Sequence, residues 1–135
     1  MATHISWVLQ KAITERLLQE ETLNDKVHFR IYDVAPPSPF FPYIILGQDS
    51  IRSWNTKTFK GNEVQFTLHV FSRDTSRKEI KDIIQRILNT FENRPLYLED
   101  NYVVHLMPEL VQTFVENDRV TCHGIIKLHA ITVNT

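Results

Sequence analysis

Glycine, cysteine, long apolar runs and charge of one sign are all scarce in this chain, and each absence closes a class of function. Three glycines among 135 residues leave no phosphate-cradling loop and no dinucleotide fingerprint, because both need several glycines where backbone amides approach a ligand closely. The single cysteine, Cys122, cannot pair within the chain. No oxidising compartment is implied, and an intracellular setting is expected. No window approaches the roughly 20 apolar residues of a membrane span, so no membrane partner is expected. The N-terminus lacks the basic, apolar and small-residue order of a signal peptide, and the mature chain is expected to start at or near Met1. Fifteen Lys and Arg stand against sixteen Asp and Glu, a formal charge of −1. That is a poor footprint for a protein that draws its affinity from phosphates, so direct nucleic-acid binding is disfavoured.

What is present is enough for one domain over residues 1–135, long enough to bury a core without staples. Ile5, Val8, Leu9, Ala12, Ile13 and Leu17 recur at helical spacing and predict an amphipathic helix ending near Glu21. Asn24 and Asp25 then read as a turn, and the alternation Val27, Phe29, Ile31 as a strand closing at Asp33. A short strand is expected over residues 43–47, followed by a polar run over residues 48–62. Val64, Phe66, Leu68 and Val70 alternate with Gln65, Thr67, His69 and Phe71, the pattern of a strand with one inward face.

Ser76 and Glu79 have the spacing of a capping box, and Ile80, Ile83, Ile84, Ile87, Leu88 and Phe91 form the stripe of the helix it would start. The last third reads as strand. Residues 96–98 and 102–106 flank the turn Glu99-Asp100-Asn101, and Pro108 predicts a bend or bulge before residues 110–116. Asn117-Asp118 reads as a compact two-residue connection into a strand where Val120, Cys122, Ile126, Leu128 and Ala130 point inward. The order is α-β-β-β-α followed by three or four strands. This is an α+β chain: a mainly antiparallel twisted sheet with two helices packed on one face. The other face carries Gln65, Thr67, His69, His123, Lys127 and His129.

The stretch over residues 33–57 places costly aromatic side chains where a self-contained domain would place polar ones. Pro36, Pro37, Pro39 and Pro42 forbid helix and cannot donate to a central ladder, so they make a semi-rigid extended arm. Phe40 and Phe41 lie on that arm, and Trp54 follows in a polar run that no periodicity explains. Rigid rings on irregular backbone bring large contact area at low entropy cost, which suits a surface that grips another protein. The alternative is that the rings fold back over the domain's own core.

Candidate chemistry is thin. The six histidines show no spacing that a metal needs, and no metal or cofactor is expected. His69, His105, His123 and His129 could cluster across strands, but polar-face histidines alternating with core residues are the commoner outcome. Glu79-Ile80-Lys81 imitates half of a metal-dependent nuclease site, yet it falls in the first turn of a helix instead of on a strand. Glu99-Asp100 reads as a solvated turn, Cys122 as a small core residue, and no serine sits in a nucleophile elbow. An enzyme is the weaker class.

Five strings in fixed order carry a resemblance that spans nearly the whole chain. They are Ile31-Tyr32-Asp33 leading to Ala35-Pro36, then Phe41-Pro42-Tyr43-Ile44, then Leu46-Gly47-Gln48-Asp49 running to Trp54-Asn55-Thr56-Lys57-Thr58. Leu68-His69-Val70-Phe71-Ser72-Arg73 and Asp118 with His123-Gly124 complete the set. Together they resemble the tail terminator, or tail completion, proteins that join tail to head in long-tailed phages, prophages and gene transfer agents. Phe71 departs from the tryptophan that relatives often carry, and it keeps an aromatic ring. The resemblance implies a non-enzymatic virion component in the tail or neck, assembled in the bacterial host cytoplasm. It would form a hexameric ring that caps the tail tube protein, meets the head-side connector or stopper, and lets DNA pass through the lumen. Within that picture Phe40, Phe41 and Trp54 are expected to dock on a neighbouring copy, with Arg52, Lys57 and Lys60 at the rim. A monomeric adaptor that binds through a sheet edge or the proline arm, and a metal-dependent enzyme using the strand histidines, are the competing readings.

Overall fold

Ile5, Val8, Leu9, Ile13 and Leu17 are all buried along α1 (Ala2–Gln19), as their spacing requires of a helix with one apolar face. The computed structural model describes residues 2–55, 60–98 and 102–134, with side chains for residues 5–53, 61–98 and 103–132. A second helix, α2 (Glu21–Val27), follows where a turn and a strand were expected. Asn24 explains the difference, because its polar side chain is buried and works from within the helix. Its amide nitrogen donates to the carbonyls of Leu17 at 2.9 Å and Glu20 at 2.9 Å, and its Oδ1 accepts the Phe29 amide at 3.0 Å. The residue supplies turn chemistry to the α1–α2 corner while staying helical itself. Val27 is then a core residue, and His28 and Phe29 adopt positive φ of 52° and 62°, which ends α2 and redirects the chain.

Seven strands pair among the described residues. β1 (Ile31–Tyr32) runs parallel to β2 (Tyr43–Asn55), and β2 pairs antiparallel with β3 (Lys60–Ser72). After α3 (Lys78–Phe91) come β4 (Leu96–Tyr97), β5 (Tyr102–Val104), β6 (Met107–Val115) and β7 (Cys122–Asn134). The sheet order is β1-β2-β3-β7-β5-β4, with β6 also paired to β7. The expected α+β architecture therefore holds, with three helices instead of two.

The polar run after Gly47 is not a loop. It continues β2 to Asn55, because backbone pairing with β3 needs no apolar side chain beyond the edge of the core. A register shift between Leu46 and Asp49 turns Asp49 inward opposite Phe66, where its carboxylate accepts the Ser6 hydroxyl at 2.6 Å. Gly47 is required there: a Cβ would lie 2.7 Å from the His69 ring and 2.9 Å from the Thr67 carbonyl oxygen. The expected bulge at Pro108 is present as a shift between Pro108 and Leu110. The β6–β7 connection is longer than two residues, running over 116–121. Asp118 organises it by accepting the Thr121 hydroxyl at 2.6 Å and the amides of Thr121 and Val120. Those bonds, the Thr121 hydroxyl first, hold its carboxyl down at about 2.

The capping box does not form. Glu79 instead accepts the Ser72 hydroxyl at 2.7 Å, and the Ser76 hydroxyl accepts the Lys78 amide at 2.9 Å in a local turn. At its other end α3 is gripped by α1. The Arg16 guanidinium donates to the carbonyls of Thr90, Arg94 and Pro95, each at 3.0 Å. Burial and the nearby Arg94 lower the Arg16 pKa, while Glu20 offsets them. One core cluster joins the inward residues of all three helices to Val64, Phe66, Leu68, Val70, Ile126 and Leu128 of the sheet.

Candidate assembly interface

The proline arm is a loop pinned at both ends. At its start, Ile31 and Tyr32 pair with Ile44 and Ile45 of β2. At its finish, the Arg30 guanidinium donates to the Pro42 carbonyl at 2.9 Å and to the Phe41 carbonyl at 3.2 Å. Phe41 is half-buried, with its ring centroid 5.0 Å from that of Tyr43 and the Arg73 guanidinium 4.2 Å above it. Between the pins the chain exposes Val34 at 82% and Phe40 at 79%. Of the two arm rings, one is occupied within the subunit and one is offered to the outside.

The remaining candidates sit elsewhere. Arg52 is exposed on β2 opposite Glu63, and Trp54 and Lys60 pair by backbone with Gly61 and Asn55. The side chains of Trp54 and Lys60, and all of Lys57, lie outside the described residues. Arg52 follows Tyr43 by nine positions along β2, which places it roughly 30 Å from the arm's end. Of the residues expected to act together, Phe40 and Phe41 thus lie before the start of β2, while Arg52 and the backbones of Trp54 and Lys60 lie at the far end of the β2–β3 pair.

The outer sheet face is not simply a solvated polar face. Tyr43, Phe71, His123 and Phe114 stand in register across β2, β3, β7 and β6. Their rings follow one another at centroid distances of 5.0, 4.3 and 4.9 Å. His69 joins this row: its Nδ1 lies 2.8 Å from His123 Nε2, and His123 Nδ1 lies 2.7 Å from a Glu116 carboxylate oxygen. Burial, and secondarily His123, hold the His69 imidazole below its ordinary value of 6.5. The arrangement is a strip of packed rings joined by hydrogen bonds across the sheet. Among the described residues no group of three or more His, Cys, Asp and Glu is placed to hold a metal ion. Cys122 is buried on the inward side, as its alternation predicts.

An apolar edge that the sequence pattern did not disclose lies on β6, every residue of which except Thr113 is exposed. Leu110 at 40% and Phe114 at 39% face the outer side, while Val111 at 42% and Val115 at 41% face the helix side. The signal was in the sequence: two adjacent apolar pairs in one strand commit both faces to apolar contact, where a half-buried strand would alternate. Beside the start of β6, a groove of about 530 Å³ opens against α3, with Leu88, Phe91, Leu106, Pro108 and Leu128 among its lining residues. Gln85, Asn93 and His105 bring polar groups to it.

Comparison with known proteins finds relatives along nearly the whole chain. The model of a family described as "Tail completion protein gp17" matches residues 11–133. The chain is 33% identical over 129 residues to the tail completion protein gp17 of Bacillus phage SPP1, across 96% of this chain and 94% of that protein. The solved structure of bacteriophage SPP1 gp17 aligns with a TM-score of 0.65 at 29% identity, over 93% of this chain and 88% of that one. A chain of the virion of a native gene transfer agent particle has the same fold, with a TM-score of 0.85 at 19% identity over 96% of this chain and 97% of that one.

Proposed function

The chain belongs to the gp17 family of tail completion proteins, and from that membership we propose that its copies close into a ring which ends a tail tube and joins it to the head-side connector. A tail completion protein is a structural part of a phage or gene-transfer-agent virion and not an enzyme. The finer reading adds the ring, six-fold in the form implied by the resemblance, built in the cytoplasm of the bacterial host. One side of the ring seats on the last ring of tail tube protein and the other meets the connector or stopper. Growth stops because only one side is shaped like the docking surface of the next tube ring, so a further ring finds no complementary patch. DNA passes through the lumen by weak contact alone, which suits a chain of formal charge −1.

The observation that carries this reading is the family match along residues 11–133. The exposed apolar side chains of the arm and of β6 support it, since a chain of this size leaves such surface open where it meets other proteins. In the ring, Phe40 and the exposed part of half-buried Phe41 dock on a neighbour. Arg52, Trp54, Lys57 and Lys60 make a second contact, with Arg52 near the far end of β2.

The experiment is complementation in vitro. Particles made without this protein should show tubes of uncontrolled length and heads that stay separate, and adding the purified chain should restore joined particles in electron micrographs. Uniform, head-joined tails in its absence would contradict the proposal.

A further inference from the structure

The arm and the α3–β6 groove are unlike apolar features at opposite edges of one sheet. β1 and β6 are separated by β2, β3 and β7, four strand spacings or roughly 19 Å. The arm leaves the sheet at Tyr43, whose row crosses β7 at His123, and the groove touches β7 at Leu128. Five residues along a strand add roughly 17 Å, so the two features stand about 25 Å apart. A loop over residues 33–40, pinned at both ends, reaches out by at most half its contour, roughly 15 Å. The arm cannot fill its own groove.

A second copy removes that obstacle. Resting on the ring reading above, we infer that the arm of one subunit seats in the α3–β6 groove of the next, so that Phe40 is the plug and the head-to-tail contact closes the ring. The chemistry of the two sides agrees. Pro36, Pro37 and Pro39 give the arm carbonyl acceptors with few amide donors, and Gln85, Asn93 and His105 bring side-chain donors to the groove. The one charge on the arm, Asp33, is exposed without an ion-pair partner among the described residues, and so is His105. Glu92 also lines the groove and repels Asp33, which sets the arm's direction with Asp33 toward His105. A plug on one edge and a socket on the other make a heterologous contact, the kind that propagates into rings.

Area fixes how strong one such contact is. Phe40 and Val34 expose most of their side chains, and burying both against a matching groove removes roughly 500 Å² in total, below the ~1,000 Å² of a stable pair. Single contacts are therefore weak, and the ring is completed where several close together on a tube end.

The test is disulfide trapping in the double variant Phe40→Cys, Met107→Cys, with both new thiols on exposed positions and the native Cys122 buried. Oxidised on tail tubes, the variant should give a covalent ladder up to the full ring number, and each single variant alone should give no cross-link between subunits. A 1:1 mixture of the two single variants should give heterodimers. Cross-links confined within one chain, homodimers through Phe40→Cys alone, or Met107→Cys joined to tail tube protein would each overturn the inference. Electron microscopy of the same samples separates the two levels: rings without a ladder refute the arm contact and leave the ring standing, whereas tube ends without rings refute both.

Discussion

Alanine at Phe41 and at Phe40, one position at a time, separates a ring used inside the subunit from a neighbouring ring that is not. Phe41 packs against Tyr43 with ring centroids 5.0 Å apart and planes tilted by 59°, and it carries the Arg73 guanidinium at 4.2 Å. An aromatic pair contributes about 0.5–1.5 kcal/mol and an exposed cation–π contact about 0.5–1 kcal/mol. With the apolar area that a half-buried ring covers, Phe41→Ala should cost about 2 kcal/mol. For a chain of this length that lowers Tm by about 8 °C, readable by calorimetry or circular dichroism. Phe40 is 79% exposed, so Phe40→Ala should move stability by no more than about 0.5 kcal/mol. Its effect should fall on assembly. Losing about 2 kcal/mol of ring burial weakens each subunit contact about 30-fold, measured as the protein concentration needed to cap tail tubes in a sedimentation assay. Equal losses of Tm for the two variants would refute the reasoning, because Phe40 would then pack on its own subunit. Wild-type capping by Phe40→Ala would refute it from the other side.

Arg16→Ala should destabilise the chain by about 2 kcal/mol in urea titrations, since three carbonyls at the end of α3 lose a charged donor. Arg16→Lys should recover less than half of that, because an ammonium cannot fork across three acceptors. His69, held below 6.5 by burial and by His123, binds fewer protons folded than unfolded. Stability should therefore be steady above neutrality and fall as pH drops below 6.5, and His69→Gln should flatten that slope in denaturation curves taken across the interval.

Elements whose residues meet one environment were readable from the sequence. Val64 to Val70 alternate because β3 has helices on one side only, and the isoleucines of α3 repeat because one stripe meets the sheet. Pro108 announced its bulge, and Cys122 its inward side, through local rules alone. What failed depends on partners distant in sequence. Asn24 is polar and turn-forming in isolation, and it becomes helical because the open carbonyls at the end of α1 lie within reach. Residues 48–55 are too polar to look like strand, and they are one because β3 supplies the backbone pairing. Glu79 matches a capping box but is taken by Ser72, seven residues earlier.

Of the candidate interface, Phe40 and the pinned arm were legible as rings on proline-stiffened backbone. Two facts were not. Arg52 and Trp54 lie far from the arm because β2 is long, and a sequence shows adjacency along the chain but not distance along a strand. The α3–β6 groove joins residues 85–93 to residues 105–108 and 128, a juxtaposition that only the sheet order creates.

Cryo-electron microscopy of tail tubes capped by the purified chain tests the central claim most directly. The account predicts a single closed ring of this chain at the tube end, with density for residues 33–40 of each copy entering its neighbour between α3 and β6. Isolated copies bound at the tube end, or a ring in which that density stays on its own subunit, would contradict it.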